Sequence, residues 1–291
     1  MGNGITPTHS YLAPAKLNLF LHVIGRREDG YHLLQSIFRL IGFGDTVHLQ
    51  LRDDGAIARA GDLPGVPEEH DLSLRAAKLL QPYAPKDSGV SIRIDKRLPM
   101  GGGLGGGSSD AATVMLALSR LWGLNFSRQR LQALALSLGA DVPVFIFGQN
   151  AFAEGVGERL TGVRLAPAWY VVLVPPLQVA TAEIFAAPEL TRNTPALTIA
   201  PFSADPHVAV AGLHNDLQAV VVQRYPEVAR HIAWLSAYAD ARMTGSGACV
   251  FAAFDSEDAA NRVLRDLPDG MQGFVAQGLD RHPLFEYCDE K

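Results

Sequence analysis

The sequence predicts an α+β fold of two domains, comprising residues 1–163 and 164–291. Its 291 residues are 48% apolar, which suits one large domain or two ordinary ones with buried cores. Segments that alternate apolar and polar residues, as strands do, are interspersed with segments of helical spacing. A turn-rich stretch at 152–163 separates two such groups and marks the predicted boundary.

The first predicted strand covers residues 11–24 and alternates strictly from Lys16 onward. One face carries Leu17, Leu19, Leu21 and Val23, and the other carries Lys16, Asn18, Phe20 and His22. Polar residues on one face are typical of a solvated strand, whereas the phenylalanine among them favours the floor of a cleft. These residues alone leave both interpretations open.

The remaining elements follow from periodicity, turn residues and helix caps. In the first domain we expect two strands within 33–52 on either side of a break at Gly42–Gly44, a polar loop at 52–69 with a short strand, a helix at 72–80 capped by Asp71, a strand at 90–98, and helices at 108–122 and 127–138, the second capped by Ser127. In the second we expect a strand from 169, a helix at 181–185, an irregular stretch at 188–206, helices up to 238, a turn at 245–247, a strand at 248–254, a helix at 257–267 and a strand at 273–279.

Composition excludes several classes of protein. A formal net charge of −5 argues against a nucleic-acid partner. Cys249 and Cys288 are too few for a disulfide framework or a cysteine metal cluster. No apolar run is long enough to span a membrane, and the first ten residues lack the features of a signal peptide. We therefore expect a cytoplasmic protein without a membrane partner, either a monomer or a homodimer.

The most distinctive stretch is 99–112, PMGGGLGGGSSDAA, with six glycines in seven residues. Glycine tolerates positive φ and lets several backbone N–H groups approach an anion, which the N-terminus of a following helix also attracts. A flexible linker is the competing interpretation. Because a strand pattern precedes the glycines and a helix pattern follows them, we predict a site for a nucleotide phosphate.

The context excludes the commoner glycine-rich nucleotide loops. Gly101, Gly103 and Gly106 fit the dinucleotide pattern G-x-G-x-x-G, but no acidic residue follows about 20 positions later. No lysine follows the glycines as in a Walker loop, and the H-R-D and D-F-G motifs of protein kinases are missing from the sequence. An NAD-dependent dehydrogenase is thus disfavoured, and a rarer phosphate loop remains.

Single polar residues are less informative. Asp141 follows a predicted helix and precedes an apolar run, where a cap or turn role is the simpler interpretation. His22 and His32 lie beside apolar strands, where histidine is usually a hydrogen-bonded structural residue. Neither has the spacing of a metal site.

Four motifs together resemble the superfamily of galactokinase, homoserine kinase, mevalonate kinase and phosphomevalonate kinase. They are PAKLNL at 14–19, PMGGGLGGGSS at 99–109, GADVP at 139–143 and TGSGA at 244–248. The resemblance implies a two-domain kinase fold with the active site in the cleft between the domains. It also implies ATP-dependent transfer of a phosphoryl group to an alcohol group.

The same resemblance implies the cofactors and the catalytic residues. ATP would bring Mg²⁺ on its phosphates, with no separate protein metal site, and Ser108 or Ser109 would offer a hydroxyl to phosphate or metal. Asp141 would be the general base and Lys16 its cationic partner, since a loose transition state needs few other groups. The implied ATP contacts are Pro99, Met100, Gly101, Gly102, Gly103, Leu104, Gly105, Gly106, Gly107, Ser108 and Ser109.

Within the superfamily, DGYH at 29–32 and RNTP at 192–195 are similar to a member whose small-molecule substrate is linked to cytidine diphosphate. The resemblance implies that Tyr31 and Phe185 stack on the cytosine while His32 reads its hydrogen-bonding edge. It also implies substrate contacts for three further residues and for the turn at 245–247. The three are Asn18, Val156 and Thr181.

Two residues depart from the family's pattern, because Asp71 and Asp110 stand where relatives commonly have Asn. The first leaves the adenine contact in doubt, and the second should point its charge away from the phosphates. Two alternatives stay open. One is another kinase of the superfamily, acting on homoserine or mevalonate, and the other is a nucleotide-binding relative without catalysis.

Overall fold

Two long paired strands form the centre of the molecule, β1 (Thr8–Arg26) and β2 (His32–Arg52). They are seen in a computed structural model that describes residues 7–199 and 212–288. The predicted break in the second strand is a bulge and not an end, because Pro14 pairs with Gly44 while Ala15 already pairs with Ile41. A Cβ on Gly44 would lie 1.9 Å from the Ala13 carbonyl oxygen, so only glycine fits this approach. The prediction of two separate strands is wrong in this respect.

The N-terminal half surrounds this pair with strands on one side and helices on the other. The strand β4 (Gly89–Asp95) pairs with β2 and, in parallel, with β3 (Ile57–Arg59), while a hairpin of β5 (Ala151–Glu154) and β6 (Arg159–Gly162) extends the other end of β2. The helices are α1 (Leu72–Leu80), α2 (Gly106–Leu121), α3 (Arg128–Ala135) and α4 (Val142–Phe147). The Asp71 side chain accepts a hydrogen bond from Ser73 N at 2.9 Å, so the predicted cap of α1 is confirmed.

The C-terminal half is a second sheet-and-helix layer. Its strands are β7 (Trp169–Leu173), β8 (Arg242–Met243), β9 (Val250–Phe254) and β10 (Gly273–Leu279), and its helices are α5 (Thr181–Ala186), α6 (Asp216–Arg224), α7 (Pro226–Leu235) and α8 (Glu257–Arg265). The predicted irregular stretch contains neither helix nor strand at 188–199, and its remainder at 200–206 lies outside the described residues. The first six residues of the chain also lie outside them.

The two halves share one sheet and part of one core. Gly278 and Leu279 of β10 pair with β2, which gives the strand order β3-β4-β2-β10-β7-β9-β8. A cluster of buried side chains between the halves includes Leu17, Leu104 and Cys249. Within the described residues, no helix is both long and apolar enough to cross a membrane. The boundary between residues 163 and 164 falls between β6 and β7 and stays a prediction.

Candidate active site

The polar face of β1 is buried. Lys16, Asn18, Phe20 and His22 have exposed fractions of 4, 3, 0 and 3%. The solvated-face interpretation is therefore wrong, and the cleft-floor interpretation describes Lys16 and Asn18, which line a cavity between the two halves.

Lys16 and Asp141 form an ion pair at this floor. Lys16 Nζ lies 3.7 Å from Asp141 Oδ2 and donates a hydrogen bond to Asn18 Oδ1 at 2.6 Å. Asp141 precedes α4, but its side chain makes no capping hydrogen bond and is 44% exposed. Burial lowers the pKa of Lys16, and the Asp141 carboxylate opposes this shift. The pair thus combines a fixed, desolvated ammonium with a carboxylate that stays accessible.

Asn18 holds Lys16 in place. Its Nδ2 donates to Ser36 Oγ at 2.8 Å, and its backbone N–H donates to Thr244 Oγ1 at 2.9 Å. Because both ends of the amide are already engaged, Asn18 orients the lysine as well as lining the cavity. The motif at 244–248 pointed to Thr244, whereas no sequence signal distinguished Ser36 from other polar strand residues.

The glycine stretch is wedged between β1 and the turn at 245–247. Gly101, Gly103 and Gly105 have φ values of +70°, +78° and +74°. A Cβ on Gly103 would lie 2.3 Å from the Thr244 carbonyl oxygen. The Leu104 carbonyl accepts a hydrogen bond from Lys16 N at 3.0 Å. The backbone therefore needs glycine for its shape, and it delivers the free N–H groups at the start of α2 to the adjoining cavity.

Most of the predicted ATP contacts line one cavity of about 340 Å³. Leu104 does not, because its side chain is buried in the core between the halves. Ser109 does not either, because its hydroxyl donates to the Pro14 carbonyl at 2.6 Å and is fully buried. Of the two serines considered, Ser108 is thus the one that can offer a hydroxyl to phosphate or metal.

Three cavities join into one groove. A central cavity of about 450 Å³ contains Lys16 and Asp141, and it shares three glycines and Ser108 with the cavity of the glycine stretch. At its other end it shares Val156, Thr181 and Phe185 with a third cavity of about 580 Å³. The ion pair therefore lies between a site suited to phosphates and a site lined with aromatic side chains.

The third cavity, called the aromatic cavity below, brings together the three residues implied to bind a base. The rings of His32 and Phe185 lie 5.0 Å apart, and Tyr31, 65% exposed, lines the same cavity. Val156 N–H already donates to Glu158 Oε2 at 2.6 Å, and Thr181 Oγ1 is 2.7 Å from Ser246 Oγ. Both groups are thus already hydrogen-bonded within the protein.

A buried charge cluster beneath the glycine stretch was not predicted. Lys96 Nζ bonds to Asp45 and, at 2.9 Å, to Asp110 Oδ2. Asp45 also accepts hydrogen bonds from the backbone N–H groups of Arg97 and Leu98. Burial raises the pKa of Asp110 to about 7, with Asp45 raising it and Lys96 lowering it. Residues so far apart in sequence give no local signal of such a cluster.

The two departures from the family's pattern have different surroundings. Asp110 directs Oδ2 toward Lys96, while its Oδ1 is buried without a hydrogen bond. The Asp71 carboxylate is engaged by Ser73 N and by Arg59 Nη2 at 3.0 Å. Both residues line the cavity of the glycine stretch. An adenine contact by Asp71 stays a prediction.

Comparisons with known proteins show the family of this chain. The sequence model of the GHMP kinases N terminal domain matches residues 71–149, and that of the GHMP kinases C terminal matches residues 208–273. A 4-diphosphocytidyl-2-C-methyl-D-erythritol kinase of Thiobacillus denitrificans is 69% identical over 97% of this chain and 100% of that protein. The chain belongs to this family of GHMP kinases.

Other relatives support the same membership. The kinase of that name from Nitrosospira multiformis is 58% identical over 96% of this GHMP kinase and 94% of its own length. A crystal structure of 4-(cytidine 5'-diphospho)-2C-methyl-D-erythritol kinase matches with a TM-score of 0.82 and 35% identity, covering 93% of this chain and 99% of that one. A homoserine kinase from Cytophaga hutchinsonii shares the fold, with a TM-score of 0.70, 16% identity, and coverage of 97% and 98%.

Proposed function

We propose that this GHMP kinase transfers the γ-phosphoryl group of ATP to the 2-hydroxyl of 4-diphosphocytidyl-2-C-methyl-D-erythritol, a step in non-mevalonate isoprenoid precursor synthesis. The observation that carries the proposal is the continuous groove, in which the Lys16–Asp141 pair lies between the glycine stretch and the aromatic cavity. A phosphoryl donor in the cavity of the glycine stretch and a phosphoryl acceptor in the aromatic cavity would meet at the ion pair.

At the donor end, the phosphates would lie against the glycine stretch and the N-terminus of α2, whose free N–H groups and dipole favour anions. No group of three or more His, Cys, Asp or Glu side chains in the described residues could hold a metal. Mg²⁺ bound mainly by substrate phosphates needs only one or two protein oxygens. Ser108 can supply one of these from the groove, and the ion would neutralise phosphate charge.

At the centre, Asp141 would accept the proton of the attacking hydroxyl. Its exposed carboxylate can reach a ligand in the groove, and the Lys16 ammonium 3.7 Å away stabilises the ionised form that a base requires. Lys16 itself can contact the attacking oxygen or the transferring phosphoryl group. Its bond to Asn18 keeps it in position for either contact.

At the acceptor end, Tyr31 and Phe185 would sandwich the cytosine, with His32 at its hydrogen-bonding edge. Stacking alone binds any base, so a polar partner is needed to choose cytosine. The remainder of the substrate would lie in the central cavity, next to Asn18, Val156 and Thr181. With the base bound in this way, the sugar alcohol would lie next to Asp141.

An ADP-release assay tests the proposal, with the cytidyl substrate compared with homoserine, mevalonate and galactose. Only the cytidyl substrate should support turnover, and Asp141→Asn should slow it by about 100-fold or more while leaving both Michaelis constants nearly unchanged. Asp255→Asn, on an exposed position, is the matched control. Turnover with homoserine or mevalonate instead would identify another kinase of the superfamily. ATP binding without turnover of any acceptor would identify a non-catalytic relative.

A further inference from the structure

The side chain of Arg192 connects two walls of the aromatic cavity. Its Nε donates to His32 Nε2 at 3.1 Å, and its Nη2 donates to the carbonyls of Phe185 and Ala187 at 2.9 and 2.7 Å. Its Nη1 donates to the Leu190 carbonyl at 3.1 Å. All three nitrogens of one guanidinium are therefore used to join the end of α5 to the start of β2.

The segment that carries Arg192 is itself anchored to β1. Thr194 N donates to the Val23 carbonyl at 3.1 Å, and Thr194 Oγ1 donates to Asp216 Oδ2 at 2.7 Å. Arg192 thus approaches His32 from a fixed backbone.

The contact decides which nitrogen of His32 carries the proton. A guanidinium has only donors, so the ring nitrogen that it meets must be an acceptor. In a neutral imidazole the other nitrogen, Nδ1, then carries the hydrogen. Burial lowers the pKa of His32, and the charges of Arg192 and Arg26 lower it further, so the ring stays neutral at physiological pH. Nδ1 has no hydrogen-bond partner among residues 7–199 and 212–288, and His32 lines the aromatic cavity.

We propose that Arg192 is a positioning residue that fixes His32 as an Nδ1–H donor and thereby selects cytosine over uracil. The inference rests on the proposed function, in which His32 reads the edge of the base. Cytosine N3 is an acceptor, whereas uracil N3 carries a hydrogen, so a donor that faces this atom bonds to cytosine and opposes uracil. A histidine free to change tautomer could satisfy either base. The guanidinium removes that freedom.

The test compares the cytidyl substrate with its uridine-diphosphate analogue in the wild type, Arg192→Met and Arg224→Met. Arg224 is the control because its guanidinium pairs with exposed Glu189 and makes no contact with His32. We expect the wild type to prefer the cytidyl substrate in kcat/KM. Arg192→Met should reduce that preference by about 10-fold or more, the discrimination that a well-placed contact to a base edge gives, mainly through KM. The KM for ATP should not change, and Arg224→Met should keep the wild-type ratio.

A second measurement does not depend on any variant folding. The ¹⁵N and ¹³C chemical shifts of the His32 ring in the wild type report its tautomer, and we expect hydrogen on Nδ1. Hydrogen on Nε2 overturns the inference, as does an unchanged cytidyl-to-uridyl ratio in Arg192→Met. In both cases turnover of the cytidyl substrate by the wild type leaves the proposed function standing. A wild type without that turnover overturns both.

Discussion

Replacing Gly103 with alanine tests whether the shape of the glycine stretch depends on glycine itself. This residue has a φ of +78°, and an added Cβ would lie 2.3 Å from the Thr244 carbonyl oxygen and 3.2 Å from that of Gly247. Both neighbours are backbone atoms in or directly before the turn at 245–247. They cannot give way as a flexible side chain would.

The expected cost of Gly103→Ala has two parts. An L-residue in the left-handed region costs roughly 1–2 kcal/mol. Forcing a methyl group into a packed site costs roughly 1–3 kcal/mol more. The free energy of unfolding should therefore fall by about 2–5 kcal/mol. If the stretch shifts to relieve the contact, the KM for ATP should rise as well, because the same backbone forms the proposed phosphate site.

Gly107→Ala is the matched control in the same stretch. Gly107 lies in the first turn of α2, and its added Cβ would come no closer than 3.9 Å to Leu72 Cδ1. Alanine at a helical position is favoured over glycine by roughly 0.5–1 kcal/mol, so this variant should be as stable as the wild type or more stable. Urea unfolding curves, fitted with m-values, measure the free energy of unfolding of both variants. Equal stability of Gly103→Ala and Gly107→Ala would refute the reasoning.

Three further predictions concern the groove. Ser109→Ala should lower the free energy of unfolding by about 1 kcal/mol, because a buried hydrogen bond is lost, and should leave the KM for ATP unchanged. Ser108→Ala should instead impair ATP turnover and leave the free energy of unfolding unchanged. The reverse pattern in the two assays would contradict the assignment. Because the pKa of Asp110 rises from 3.8 to about 7, the folded protein binds more protons than the unfolded chain in that window, so stability falls as pH rises through it. When stability is measured as the melting temperature at a series of pH values, Asp110→Asn should make this fall smaller. A pH profile identical to that of the wild type would count against the prediction. Phe185→Ala should raise the KM for the cytidyl substrate by an amount equivalent to about 1–3 kcal/mol without changing that for ATP; equal effects on both substrates would indicate a folding defect.

Local chemistry predicted some element bounds correctly. Asp71 and Ser127 cap the helices that follow them, because a side-chain oxygen beside a free N–H needs only neighbouring residues. The last strand was also predicted at its observed bounds, Gly273–Leu279. The fourth strand ends at Asp95, three residues before its predicted end at 98, because Asp45 binds the N–H groups of Arg97 and Leu98 in place of a strand partner. That carboxylate lies on a different strand, so the local pattern does not reveal it.

The residues of the groove were found by motif, but their contacts were not. Ser108 and Ser109 are adjacent and chemically identical, and only the position of the Pro14 carbonyl decides that one of them is structural. Arg192 was noted as part of a motif without a role. Its role depends on His32 and on the end of α5, which folding brings to it from distant parts of the chain.

The face of β1 that carries Lys16 shows why the open alternative could not be decided from sequence. Alternation places Lys16 and Asn18 on one side of a strand, and this holds whether that side meets water or protein. They are buried by the glycine stretch and by the turn that follows Thr244. The Leu104 carbonyl accepts a hydrogen bond from Lys16 N, and the Thr244 hydroxyl accepts one from Asn18 N. Both hydrogen bonds are donated by backbone N–H groups of the strand. They therefore fix the position of the Lys16 backbone relative to the groove, independently of the conformation of its side chain. Since Asp141 reaches the same ammonium from the start of α4, the Lys16–Asp141 pair is set by β1 and three further segments that meet it only in the folded chain.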